Sequence, residues 1–89
     1  MEGWYRQKIL HLSPEESAYV ELKLELSKIL QETRRENELT QEQLARLLKS
    51  SQSRIAKMEI GDPSVSLDLL VRSLFALGKT RKTLVRMLA

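Results

Sequence analysis

The sequence predicts an all-α domain of five helices, and three observations carry that prediction. Helix-opening signals recur along the chain, each a Ser or Thr ahead of a run of helix-forming residues. Inside those runs apolar residues return every three or four positions. Gly61, the Asp62-Pro63 turn and Gly78 close the later runs.

The elements follow in order. Residues 1–13 form an N-terminal arm with no periodic pattern. Its Trp4 and Tyr5 read as packing on the domain edge, the alternative being contact with a partner. Ser13-Pro14-Glu15-Glu16 opens the first helix: a capping serine, a proline where a missing N–H costs nothing, and acids at the positive helix end. Val20, Leu22, Leu24 and Leu26 alternate with charged residues, as in a strand. Leu, Glu and Lys favour helix, however, and Leu22, Leu26, Ile29, Leu30 and Thr33 share one helical face. A single helix over about 14–36 is expected, with room for a break near its middle. Thr40 opens the second helix with Gln43 at the capping-box position, and Leu44, Leu47 and Leu48 form its apolar stripe. Ser51 caps the third helix, Gln52 to Ile60, with Ile55 and Met58 inward. Ser66 caps the fourth, whose apolar face is Leu67, Leu70, Val71, Leu74, Phe75 and Leu77. Thr80 starts a C-terminal helix over about 80–89 carrying Leu84, Val85 and Leu88.

Composition narrows the function. Eighty-nine residues leave room for one core, and 42% apolar with 30% charged residues is an ordinary globular balance. With no cysteine and the single histidine His11, thiolate and histidine-rich metal sites are excluded, and no cofactor is expected. Aromatics at 4% are too few for base-stacking on single strands. No phosphate-cradling glycine loop, nucleophile elbow or metal-ligand cluster marks an enzyme. With no signal-like stretch and no run of about 18 apolar residues, a cytoplasmic protein without membrane contact is expected. The charge is lopsided. Residues 1–45 hold six Lys/Arg against nine Asp/Glu, a net −3, whereas residues 46–89 hold nine against three, a net +6. A basic half raises the expectation of a polyanionic partner.

The informative stretch is 39–61. It reads as two short helices joined by a tight turn, with Ala45 small enough for close backbone approach and Leu44, Ile55 and Met58 locking the pair. The outer positions of the third helix are then Gln52, Ser53, Arg54, Ala56 and Lys57, donors and acceptors almost without acids. Such a helix fits the major groove of B-form DNA: Gln pairs two ways with adenine, and Arg and Lys bind guanine edges or phosphates.

Here the chain resembles the phage-repressor/Cro type of helix-turn-helix, the XRE family. Leu39-Thr40-Gln41-Glu42, Leu44-Ala45, Ser51-Gln52-Ser53, Ile55, Glu59-x-Gly61, Ser66-Leu67 and Leu77-Gly78 carry the resemblance, which covers roughly residues 26–78. It implies a lambda-repressor-like domain over 14–89, with the motif at 40–60 and the recognition helix at about 51–60. It also implies that Gln41 binds phosphate and braces Gln52, that Gln52 is the main base reader, and that Ser53 and Lys57 meet base edges beside Ser51 and Arg54. Arg34 and Glu59 match a structural ion pair. Relatives place glycine at the position of Lys49, so a positive φ is expected there. Asp62 stands where relatives carry groups near phosphates, and its charge would repel one.

The resemblance further implies a homodimeric repressor on a near-palindromic operator. The candidate dimer surface is the C-terminal segment, with Leu84, Val85, Met87 and Leu88. The Ser-Pro-Glu-Glu start, the stretch from Gly61 to Leu70, and Leu74-x-Ala-Leu-Gly78 look like small single-domain XRE regulators, many of which are antitoxins of the host-inhibition-of-growth type that also bind a toxin protein. The alternative is a protein-interaction module, a toxin neutraliser or transcriptional adaptor, with little DNA specificity of its own.

Overall fold

The computed structural model describes residues 13–89, and among these five α-helices and no strand occur. They are α1 (Pro14–Glu36), α2 (Gln41–Leu47), α3 (Gln52–Glu59), α4 (Leu67–Ala76) and α5 (Arg81–Leu88). The arm with Trp4 and Tyr5, and His11, lie outside the described residues apart from Ser13.

Every helix starts the same way. Ser13, Thr40, Ser51, Ser66 and Thr80 sit in extended backbone, and each side-chain oxygen accepts from the N–H three residues on. That satisfies one of the otherwise orphaned donors of each first turn. Thr40 and Gln43 complete a reciprocal capping box.

The first four helices also end alike. The second residue past each helix is left-handed: Glu38 at φ 56°, Lys49 at 54°, Gly61 at 70° and Gly78 at 94°. Its N–H and the next one turn back onto the last turn. After α2, Lys49 N donates to Arg46 O at 3.2 Å and Ser50 N to Ala45 O at 2.8 Å. The same paired bonds follow α1, α3 and α4. This is the Schellman ending, which folds the chain back sharply and explains connections of only a few residues. Two of the four positions lack glycine, so Glu38 and Lys49 hold a conformation that L-residues resist.

α1 runs unbroken for 23 residues, about 34 Å at 1.5 Å per residue. The break allowed by the alternating stretch does not occur: from its middle onward one face of α1 is anchored by burial of Lys23, Leu26, Ser27, Ile29, Leu30 and Thr33. α1 packs against α3 and α4, and α2 packs on α3. Leu26, Leu30, Leu44, Ile55, Met58, Leu70 and Leu74 form the centre of the core, joined by Val65 from the loop before α4 and by Leu84. Ala45 is buried beneath the α2–α3 turn.

Two expectations about facing are corrected. Leu47 is exposed: α2 has only seven residues, and its buried side is Leu44 and Ala45, with Leu48 partly covered. Phe75 is exposed as well, because α4 turns Leu70, Ser73 and Leu74 inward.

Candidate nucleic-acid interface

The third helix is two-sided by its sequence. Ile55, Met58 and Glu59 are buried, while Gln52, Ser53, Arg54 and Lys57 are exposed and Ala56 is intermediate. Ser51, also exposed, fixes the helix start by accepting from Arg54 N at 3.2 Å. Core packing therefore holds one side of α3 still and leaves a polar row on the other.

Four residues from three helices form a chain of bonds leading to that row. Arg34 of α1 donates from Nε to Glu59 Oε2 at 2.6 Å and from Nη2 to Glu59 Oε1 at 3.0 Å, a two-pronged pair. A third arm, Arg34 Nη1, reaches Leu39 O at 2.7 Å and so holds the α1–α2 connection. The side chains are 12% and 1% exposed, and the bond to Glu59 raises the Arg34 pKa above its usual value despite burial. Glu59 Oε1 also accepts from Gln41 Nε2 at 3.2 Å, and Gln41 Oε1 accepts from Gln52 Nε2 at 2.7 Å.

The direction of this chain follows from charge. A carboxylate only accepts, so the Gln41 amide must point its nitrogen at Glu59. Its oxygen is then left for the Gln52 nitrogen. Gln52 in turn keeps its own carbonyl oxygen and a second N–H for a ligand. Adenine offers the matching pair on its major-groove edge, an N6 donor and an N7 acceptor. A buried ion pair thus orients an exposed glutamine through one intermediate amide.

Beside this row lies a polar cleft of about 320 Å³. Ser51, Ser53, Arg54 and Lys57 line one side and Ser64, Val65 and Ser66 the other, with Leu69 below. Asp62 is near but turned aside: its Oδ1 accepts from Ser64 N at 2.9 Å and Ser64 Oγ at 2.6 Å. Those bonds, with Lys57 and Lys23 nearby, hold its carboxyl below the ordinary value.

The C-terminal surface divides. Val85 and Met87 are 65% and 40% exposed, but Leu84 is only 6% exposed and Leu88 packs against the core. Leu84 is corrected from surface to core, because α5 must cover the open end of the α1–α4 cluster with one side. Arg81, Lys82 and Arg86 are exposed along the same helix. Sequence reasoning missed Lys23, which is 8% exposed yet charged. Its signal was its spacing, three and seven residues before Leu26 and Leu30 on the buried face of α1.

A family model described as a helix-turn-helix domain matches residues 10–86. The chain belongs to this helix-turn-helix family. No curated protein and no solved structure matches it. Helix-turn-helix domains are typically DNA-binding regulators, and the match points to that role for this chain. Within the matched span, α2 and α3 are joined by the short connection 48–51. Among the described residues no helix is long and apolar enough to cross a membrane.

Proposed function

We propose that the protein is a sequence-specific regulator of double-stranded DNA, of the XRE phage-repressor style, and that it represses as a homodimer on a near-palindromic operator. The observation that carries this reading is the bond chain Arg34–Glu59–Gln41–Gln52, which leaves one amide edge of Gln52 bare on the exposed side of α3. In this reading α3 enters the major groove, Gln52 and Ser53 meet base edges, and Ser51, Arg54 and Lys57 serve bases or the neighbouring backbone. Gln41, at the start of α2, doubles as a brace and a phosphate donor.

Dimerisation through Val85 and Met87 of α5, with Leu88 at the rim, would set two recognition helices about 34 Å apart, one turn of B-DNA. The narrower role of antitoxin beside a toxin protein rests on the resemblance of the Ser13–Glu16 start, the 61–70 stretch and Leu74–Gly78 to such regulators.

The test is selection from a randomised duplex pool, followed by binding of the enriched sequence at several salt concentrations. A near-palindromic consensus and a steep fall of affinity with salt are expected. Neither consensus nor salt slope would leave only the protein-interaction module.

A further inference from the structure

The loop between α3 and α4 forms the far wall of the polar cleft, so its placement decides what faces Arg54 and Lys57. Two anchors hold it. Val65 is buried in the core. From the opposite side Lys23, halfway along α1, donates its Nζ proton to Pro63 O at 3.2 Å. Lys23 is 8% exposed as a whole residue, and its ammonium is partly buried, which costs free energy unless something compensates it. Here the compensation is one carbonyl and the attraction of Asp62, and burial still outweighs that attraction, pulling the Lys23 pKa below its ordinary value. Met or Leu would fill the same space without that cost. The charge itself therefore has a use.

Asp62 supplies one. It is an acid beside a cleft lined by Arg54 and Lys57, where a DNA phosphate would be repelled by it. Ser64 donates twice to its Oδ1 without removing the charge, which Lys57 and Lys23 together offset. We propose that Lys23 is a positioning residue of the DNA-facing surface: its partly buried ammonium clamps the 61–66 loop through Pro63 and, with Lys57, offsets Asp62, keeping the polar cleft hospitable to backbone phosphate. The proposal rests on the DNA-binding reading above.

The test is a double-mutant cycle read as affinity for the selected operator and for a random-sequence duplex. Lys23→Met keeps the aliphatic stem and removes the charge. It is expected to weaken binding about fivefold on both duplexes, because Asp62 near a phosphate path is then offset by Lys57 alone. Adding Asp62→Asn is expected to recover about half of the loss, because it removes the charge that Lys23 offsets while the Pro63 bond stays broken. Lys23→Gln, which keeps a donor and no charge, carries the same comparison should the methionine variant fail to fold. Wild-type affinity in the Lys23 variant overturns the proposal. So does a loss that Asp62→Asn leaves unchanged, or one confined to the operator. If Gln52→Ala in parallel loses operator binding while the Lys23 variant does not, the clamp fails and the DNA reading stands.

Discussion

Glu59→Gln exchanges one carboxylate oxygen for an amide NH2 and strikes the centre of the site. The carboxylate accepts three side-chain bonds: Arg34 Nη2 and Gln41 Nε2 on Oε1, and Arg34 Nε on Oε2. An amide offers only one oxygen. In either orientation its NH2 must face at least one of those donors, and Arg34 keeps its charge with only Leu39 O fully retained. Exposed pairs contribute about 0–1 kcal/mol, whereas removing one partner of a buried pair costs about 3–5 kcal/mol. Glu59 at 1% side-chain exposure belongs to the buried case, and Arg34 at 12% keeps some relief from water. The lower end, about 3 kcal/mol, is therefore expected. In a domain of this size that corresponds to a fall in Tm of about 12–24 °C. Thermal and urea unfolding followed by circular dichroism read the loss directly. Operator binding measured well below the new Tm should also fall, because Gln41 loses the charge that orients it. A stability change below about 0.5 kcal/mol would refute the argument, since that is what an ordinary surface position shows.

Three further outcomes are expected. Gln41→Ala removes the 2.7 Å bond that restrains Gln52 and should weaken operator binding by about 1 kcal/mol, roughly fivefold, while Tm stays near wild type; fluorescence anisotropy checks this, and unchanged binding contradicts the brace. Val85→Glu alters an exposed side chain and should leave the monomer fold intact while weakening self-association about tenfold or more, read by sedimentation equilibrium; an unaltered dimer would move the interface elsewhere. The Asp62 carboxyl lies below its ordinary value of 3.8, so the folded chain binds that proton less readily than the unfolded one. Its contribution is present above that value and is lost as the pH falls through the folded value. Asp62→Asn should therefore flatten the acid limb of urea midpoint against pH, and an unaltered limb would contradict the sign.

Local chemistry was readable from residues alone, and placement was not. The five helix starts were legible because a capping oxygen acts within three residues of itself. The positive φ at Lys49 was legible from the resemblance, since glycine is the residue that takes it without strain. Arg34 beside Glu59 was anticipated only through the resemblance, as the two are 25 positions apart. Leu47, Phe75 and Leu84 were misplaced because a short helix with apolar residues on more than one side does not declare which side meets a neighbour. Lys23 was passed over because a lysine in an alternating stretch reads as solvated surface. Only the arrival of Pro63 and Asp62 from the far loop makes its burial tolerable.

The most direct measurement is base preference with and without the Gln52 amide. Duplex selection repeated with Gln52→Ala is expected to return a consensus that has lost its preference at one base pair in each half-site, with wild-type operator bound about 1–3 kcal/mol more weakly. Recovery of the same consensus at the same affinity would mean that α3 is not the reading surface.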